Sequence, residues 1–232
     1  MKENLRSSVQ AQREPLSRDR VLVTGMRLAD AEGLAAVTMR RVASELGVEA
    51  MSLYYHLPGK DSLLDGLVEA ILAEIGTAIG ATTNDGQEWD AALRRRCLTA
   101  REVMLRHRWA PALIGSRTAI PVPLYAYYEE ILTTLVGGGF SYHLAHRAIH
   151  ALGSMVLGFT QELFSPAAGG EAPSDEDTEA AMAEMAAALP HLTAMVTAEL
   201  HDHQDDPLGW CDSQAEFEFT LDLLLEGLAR RT

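Results

Sequence analysis

Apolar residues recur three and four positions apart along most of this chain, and no strand-like alternation of any length follows the first 15 residues. The pattern predicts helices over residues 87–107, 110–116, 122–136, 142–164, 176–199 (broken near Pro190) and 213–230. Prolines and glycines fall between these segments, where helices end. Shorter helices are predicted nearer the N-terminus, as described next, and together with them these segments predict an all-α fold.

Residues 38–65, TMRRVASELGVEAMSLYYHLPGKDSLLD, predict two short helices joined by a tight turn. Thr38 can cap the first helix through its hydroxyl, and Gly47 suits the left-handed backbone at which that helix must stop. A second helix over residues 50–56 would bury Leu53. This spacing is typical of the helix-turn-helix, whose second helix enters the major groove of DNA.

Four polar or aromatic side chains face outward on the second helix: Ser52, Tyr54, Tyr55 and His56. Exposed aromatic residues side by side usually mark a binding surface. Lys60 stands at the start of the next helix, where the helix dipole and free N–H groups favour a phosphate. The plainer alternative is a generic helical hairpin without a ligand, which would not need this outward set.

These residues resemble the DNA-binding domain of the tetracycline-repressor (TetR) family over residues 16–75, through the pattern LGV-x4-LYYHL-x2-K-x2-LL. The resemblance implies a first helix over 18–32, a second over 39–46, the recognition helix over 50–56 and a long connecting helix over 60–79. It implies DNA contacts at Thr38, Arg40, Ser52, Tyr54, Tyr55, His56 and Lys60. Ala50 and Met51 occupy base-reading positions, where they can touch thymine methyl groups but cannot form bidentate hydrogen bonds.

The predicted domains are residues 1–15, a mobile N-terminal arm; residues 16–80, a three-helix DNA-binding domain; and residues 81–232, a larger helical domain for ligand binding and dimerisation. The distribution of charge follows this division. The net charge of −14 is uneven, because residues 1–80 hold 9 basic and 11 acidic side chains while residues 81–232 hold 10 and 22. Basic residues outnumber nearby acids along the expected DNA side: Arg6, Arg13, Arg18, Arg20, Arg40, Arg41 and Lys60. We therefore expect few phosphate contacts per subunit and clear salt dependence. The arm either reaches the minor groove or is a disordered tail.

Two later segments carry apolar stripes, which mark either core or interface. Residues 142–164 combine such a stripe with Gly153, Ser154 and Gly158, and residues 213–230 are rich in leucine. The resemblance implies that these helices pair with their copies in a second subunit, giving a homodimer on a palindromic operator. The interface residues expected on this basis are Leu152, Val156, Phe217, Leu221, Leu224 and Leu228.

The larger domain also contains aromatic, methionine and histidine residues of the kind that line an apolar ligand pocket, although ordinary core packing explains each residue equally well. The expected ligand-binding residues are Met104, His107, Trp109, Leu113, Arg117, Tyr125, Tyr128, His146, His150, Met155 and Phe159. HRWAPALIGSR at 107–117 and GFTQE at 158–162 resemble the tetracycline-repressor subgroup, whose members hold a drug–magnesium chelate through a histidine in the first segment. His107 begins the first segment, but no histidine occurs from Trp109 to Arg117. This absence favours a ligand that differs from the drug–magnesium chelate and is more apolar.

Other functional classes find less support. His143, His146 and His150 share a helical face but lack a nearby carboxylate, and the 201–206 segment is better explained as a solvated turn, so neither a metal nor a cofactor is expected. Cys97 and Cys211 match no metal or redox spacing, which is typical of small buried thiols in a reducing cytoplasm. No apolar run reaches membrane-spanning length, and no signal-peptide core occurs. No catalytic motif is present, so no enzyme is predicted.

The sequence thus predicts a cytoplasmic, homodimeric repressor of the TetR type, released from double-stranded DNA by a small, largely apolar molecule. Three alternatives stay open: an activator or corepressor-dependent regulator of the same fold, an enzyme, and a helical protein-binding module that has lost DNA binding.

Overall fold

The computed structural model describes residues 15–80, 88–118, 121–159, 186–199 and 213–232. Every regular element in these ranges is helical, which confirms the all-α prediction. The helices are α1 (Arg18–Glu32), α2 (Met39–Leu46), α3 (Ala50–Tyr54), α4 (Lys60–Gly80), α5 (Trp89–Arg106), α6 (Ala110–Ser116), α7 (Val122–Gly137), α8 (Tyr142–Gly158), α9 (Pro190–Glu199) and α10 (Ser213–Ala229), with a 3₁₀ turn at Leu34–Ala36.

Most predicted helix bounds hold to within two residues, and α1, α2 and α6 match theirs at both ends. The recognition helix is shorter than predicted, because α3 ends at Tyr54 and the chain turns through Tyr55 and His56. The predicted break near Pro190 is confirmed, since Leu189 separates a helical turn at 186–188 from α9. Four expectations concern segments outside the described residues: the arm up to residue 14, the parts of two predicted helices at 160–164 and 176–185, the 201–206 segment and Cys211.

The chain divides into two compact units, Met1–Ala70 and Ile71–Thr232, so the division falls within α4 rather than after residue 80. In the first unit, Val21, Leu22, Val42, Leu53 and Leu67 form the core. The helices α1 and α4 approach closely at Gly66, where an added Cβ atom would lie 2.5 Å from Leu22 Cδ2. Any larger residue at position 66 would force the buried Leu22 side chain to move, so glycine allows this close packing of α1 against α4.

The second unit is organised around α5, which packs against α7, α8 and α10. Arg101 of α5 is only 1% exposed. Its Nη1 donates to the Phe159 carbonyl oxygen at 2.9 Å, its Nε donates to Gln214 Oε1 at 3.1 Å, and its guanidinium lies 4.8 Å from the centre of the Phe217 ring. Because a buried guanidinium must be hydrogen-bonded to be tolerated, Arg101 fastens α5 to α10 and to the end of α8.

Cys97 lies inside this unit, as predicted for a small buried thiol. Burial raises the pKa of the Cys97 thiol to about 12, which outweighs the opposing effect of Arg96. The thiol is therefore protonated and unreactive at neutral pH. Among the residues that the structure describes, no helix combines the length and apolar character required to cross a bilayer.

Candidate functional site

The first candidate site is a surface built by α2, α3 and the start of α4. Thr38 Oγ1 accepts a hydrogen bond from the Arg41 backbone N–H at 3.1 Å and so begins α2. Gly47 ends α2 in the left-handed conformation, at φ 67° and ψ 37°. Leu53 of α3 is completely buried, so the remaining residues of this short helix lie at the surface. Local sequence therefore determines how α3 is presented.

Every residue predicted to contact DNA reaches this surface, which we call the recognition surface. Tyr55 is 90% exposed and Met51 76%, and the Tyr55 and His56 rings lie edge to face at 5.3 Å. Ala50 and His56 are half-buried, and the others are exposed: Thr38, Arg40, Met51, Ser52, Tyr54, Tyr55 and Lys60. Large aromatic rings left in water at the end of α3 and in the turn after it have no role in the core, and they offer flat polar-tipped contacts to a ligand.

Two adjacent arginines of α2 differ in their partners. Arg41 Nη2 donates to Glu32 Oε1 at 2.8 Å, and Arg41 Nη1 donates to Glu45 Oε1. Hydrogen bonding to Glu32, and then to Glu45, raises the pKa of Arg41 further above its ordinary value. Arg40 is exposed and has no carboxylate partner within the described ranges. Arg40 is therefore available to bind an external anion or base edge, whereas Arg41 serves the fold.

Other basic side chains on the expected DNA side are also engaged with the protein. Arg18 pairs with Glu69, and Arg20 Nη1 donates to the Pro15 carbonyl oxygen at 3.0 Å. Arg6 and Arg13 lie outside the described residues. Lys60 is exposed at the first position of α4 and, within the described chain, has no ion-pair partner. The set of cations available for phosphates is thus smaller than the sequence count indicates.

The second candidate site is a cavity of about 110 Å³ in the second unit. Five helices contribute its walls, which are mostly hydrocarbon. The lining residues are Leu72 and Ile75 of α4; Leu93, Arg96, Cys97, Ala100 and Met104 of α5; Ile114 of α6; Leu124, Tyr127, Tyr128 and Ile131 of α7; and Ile149, Leu152, Gly153, Val156 and Leu157 of α8. An apolar cavity with one charged group and two phenols suits a largely apolar small molecule.

The cavity brings together only part of the residue set predicted for the ligand. Met104 and Tyr128 line it. His107, Trp109, Leu113 and Met155 are buried but do not line it. The remaining five lie elsewhere: Tyr125, His146 and His150 are exposed, and Arg117 and Phe159 are half-buried.

Contacts with other residues and the orientation of α8 explain why several predicted residues lie outside the cavity. His107 Nε2 lies 3.1 Å from Glu74 Oε2, and its ring contacts the Trp109 ring edge to face at 5.8 Å. The His146 and His150 rings meet edge to face, with their centres 4.6 Å apart, on the outer face of α8. Residue type alone selected these aromatic and imidazole side chains, but helix orientation directs most of them away from the cavity.

Sequence reasoning missed most of the α5 wall. Leu93, Arg96, Cys97, Ala100 and Met104 recur at helical spacing, so one face of α5 points into the cavity. Arg96 is the sequence feature that indicates this wall, because a charged residue there interrupts an otherwise apolar stripe. A charged side chain is normally tolerated in an apolar stripe only where an opposite charge or a hydrogen-bond partner lies close to it.

The residues predicted for the dimer interface lie mainly inside the protomer. Leu152, Val156, Phe217, Leu221 and Leu228 are buried there, and Leu224 is half-buried. Helical periodicity identifies a buried stripe but does not say which chain covers it. The surface that α8 and α10 leave open is formed by other residues: His143, His146, His150, Gly153, Ser154 and Gly158 on α8, and Phe219 and Leu223 on α10.

Comparison with known families assigns both parts of the chain. Residues 21–67 match the family described as "Bacterial regulatory proteins, tetR family". Residues 82–232 match the family described as "Tetracyclin repressor-like, C-terminal domain". Together these matches cover the recognition surface from Thr38 to Lys60 and most of the cavity.

Individual relatives and solved structures support the same family assignment. The HTH-type transcriptional repressor DrrR1 of Streptomyces coeruleorubidus is 36% identical over 120 residues, which are 52% of this chain and only 43% of that protein. The class E tetracycline repressor of Escherichia coli is 31% identical over 147 residues, 63% of this chain and 68% of that protein. The crystal structure of the Streptomyces coelicolor TetR family protein ActR in complex with actinorhodin superposes with a TM-score of 0.67 at 26% identity, covering 93% and 96% of the two chains. These relatives are regulators rather than enzymes, and this chain belongs to the TetR family of DNA-binding transcriptional regulators.

Proposed function

We propose that this chain is a homodimeric repressor that binds a palindromic operator and leaves it when a small, largely apolar molecule fills the cavity. One observation carries the proposal: Tyr55, Arg40 and Lys60 are exposed, and neither Arg40 nor Lys60 has an ion-pair partner in the described part of the chain, while a separate apolar cavity is already present. A DNA-binding protein without a ligand would gain nothing from that cavity, because unfilled space in a core reduces stability.

The DNA-binding half of the proposal assigns two kinds of contact. Arg40 and the first residues of α3 would read base edges, with Met51 touching thymine methyl groups. The Tyr54 and Tyr55 hydroxyls and the Lys60 ammonium would donate to phosphate oxygens, which fix register without reading sequence. Such a protein acts where the chromosome is, in the cytoplasm of a bacterium.

The open surface of α8 and α10 supports the homodimer. Gly158 has nothing within 4 Å of an added Cβ atom, so a second helix can approach this face closely. Phe219 and Leu223 stand one turn apart on the exposed side of α10. Exposed apolar side chains beside a glycine-bearing helix favour a second copy as the partner, and two-fold symmetry fits an operator with two half-sites about 34–36 Å apart.

Ligand control would act through α4. Leu72 and Ile75 of this helix line the cavity, and the same continuous helix begins at Lys60. A ligand that prefers one position of Leu72 and Ile75 biases the position of the whole helix. Coupling of this kind is typically about 1–3 kcal/mol. ActR, which has been crystallised with actinorhodin, provides a precedent for a small-molecule complex in this fold.

Selection of duplex DNA from fragmented bacterial chromosome, using the full chain, tests the proposal. We expect enrichment of an inverted repeat, a complex of two subunits per duplex by native mass spectrometry, and weaker binding of the enriched duplex by Lys60→Ala. Lys60 is exposed, so this variant should keep the wild-type melting temperature. A protein that enriches no duplex, or that binds a non-repeated site as one subunit, contradicts the proposal.

A further inference from the structure

One polar group in the cavity wall is left without a partner. Arg96 is 8% exposed, and its Nη2 donates to Glu130 Oε2 at 2.8 Å. Its Nη1 atom is buried and makes no hydrogen bond to any residue that the structure describes. Burying an unsatisfied donor is costly, particularly on a charged group. Such a group in a native core therefore needs an explanation in the form of a water or a ligand.

A single water molecule would fill only a small part of the cavity around Arg96, because a water occupies about 30 Å³. A buried water needs about two to four polar partners. Apart from Arg96, the polar side-chain atoms in the wall are the Cys97 thiol and the phenol oxygens of Tyr127 and Tyr128. The remaining wall is hydrocarbon. An organic molecule with an apolar body and one acceptor oxygen would contact the hydrocarbon wall as well as Nη1, which a single water molecule does not.

The charge of the guanidinium is already balanced. Glu130 pairs with it at 2.8 Å, and the Tyr127 ring lies 5.0 Å from the guanidinium carbon. Burial is the main reason that the pKa of Tyr127 is raised to about 12, so its phenol is neutral at physiological pH. The Cys97 thiol is neutral as well. A second anion in the cavity would compete with Glu130 and lose its hydration, whereas a neutral acceptor would not.

We propose that the cavity takes a neutral, single-ring-sized apolar compound through a carbonyl oxygen that accepts from Arg96 Nη1. The proposal rests on the ligand-binding half of the proposed function and adds the chemical class of the ligand. The volume of about 110 Å³ limits the compound to one ring, because an apolar cavity of about 150 Å³ holds benzene. Arg96 is then the residue that selects for the carbonyl group.

Three probes of similar shape test the chemistry by isothermal titration calorimetry on the full chain. Acetophenone carries the carbonyl, α-methylstyrene replaces its oxygen with a CH₂ group, and benzoate carries a carboxylate. We expect acetophenone to bind about tenfold more tightly than α-methylstyrene, which corresponds to one hydrogen bond from a charged donor. Benzoate should bind more weakly than acetophenone, because Glu130 already neutralises Arg96.

Three variants locate the effect. Arg96→Met keeps an apolar stem and should abolish the preference for acetophenone over α-methylstyrene. Glu130→Gln keeps a hydrogen-bond acceptor for Nη2 but removes its charge, so benzoate should gain relative to acetophenone. Arg95→Met is the matched control, because Arg95 precedes Arg96 on the same helix and also has a buried nitrogen, Nε, without a hydrogen bond to the described residues, but does not line the cavity. The control should retain the wild-type preference.

The outcomes separate this inference from the function on which it rests. Equal binding of acetophenone and α-methylstyrene would overturn the role of Arg96 while leaving an apolar ligand site intact. Failure of all three probes to bind would overturn the proposed size and chemistry, and operator selection would still decide the DNA-binding function. If Arg96→Met does not fold, the change of benzoate affinity in Glu130→Gln decides, and an unchanged order of the three probes there contradicts the proposal.

Discussion

The recognition surface projects polar and aromatic side chains out of a small core, whereas the cavity turns apolar side chains from five helices toward one another. At the recognition surface, Leu53 anchors a five-residue helix, and its neighbours are free to change without disturbing the core. In the cavity wall, residues such as Ala100 and Leu152 pack in the core and also shape the cavity. A substitution at the recognition surface should therefore change binding alone, while one in the cavity also risks stability.

The largest effect is expected at the two neighbouring arginines of α2. Arg40→Ala should weaken operator binding about 100-fold, because each of two subunits loses a base contact of about 1–3 kcal/mol. Arg41→Ala should leave operator affinity nearly unchanged, since Arg41 is engaged with Glu32 and Glu45. Fluorescence anisotropy with the selected duplex measures both. Equal losses for the two variants would mean that the ion pairs of Arg41 open on DNA.

A smaller effect is expected from one hydroxyl group. Tyr55→Phe keeps the ring and removes only the hydrogen-bond donor, so operator affinity should fall about tenfold for two subunits. Tyr125→Phe is the matched control, because Tyr125 is also exposed and lies outside both the recognition surface and the cavity lining. Titrations at several salt concentrations sharpen the result. If Tyr55 donates to a phosphate, the loss should be similar on specific and unrelated duplexes.

Filling the cavity should separate the two regions functionally. Ala100 is buried in the cavity wall, and Ala100→Leu extends it into the open space with a stability change within about 1–3 kcal/mol. Operator affinity should stay within a small factor of the wild-type value. A compound that releases the wild-type protein from its operator in a library screen should no longer release the variant. Release of Ala100→Leu at the same concentration would place the ligand elsewhere.

The two regions also differ in how far the sequence predicts them. Thr38, Gly47 and Leu53 act over a few residues, so the pattern TMRRVASELGVEAMSLYYHL predicts the helix ends and the exposed set together. The cavity depends on how α4 to α8 pack, and contacts between distant residues decide which side chains face inward. His146 and Tyr125 have suitable chemistry but point outward, whereas Arg96 and Tyr127 face the cavity. Periodicity also marks Phe217 and Leu221 as buried without showing that their own protomer covers them.

The smallest effect concerns stability near the second half of α4. Burial pushes the pKa of Glu74 upward, but hydrogen bonds and positive charge from Arg106 and His107 outweigh it, so the pKa lies below its ordinary value. The resulting stabilisation is complete above the unfolded-state pKa and is lost as the pH falls through the lowered folded-state value. Because Glu74 and Arg106 are partly exposed, the contribution should be under about 1 kcal/mol. Glu74→Gln should flatten the dependence of melting temperature on pH between 5 and 3 (roughly the carboxylate range), and an unchanged slope would contradict this assignment.

Coupling between the recognition surface and the cavity is the central claim, and ligand affinity measured with and without saturating operator tests it most directly. A compound found by operator release should bind the free protein about 5–150-fold more tightly than the operator complex, and the operator should lose affinity by the same factor when the ligand is present. Identical ligand affinity in the two states would contradict the account.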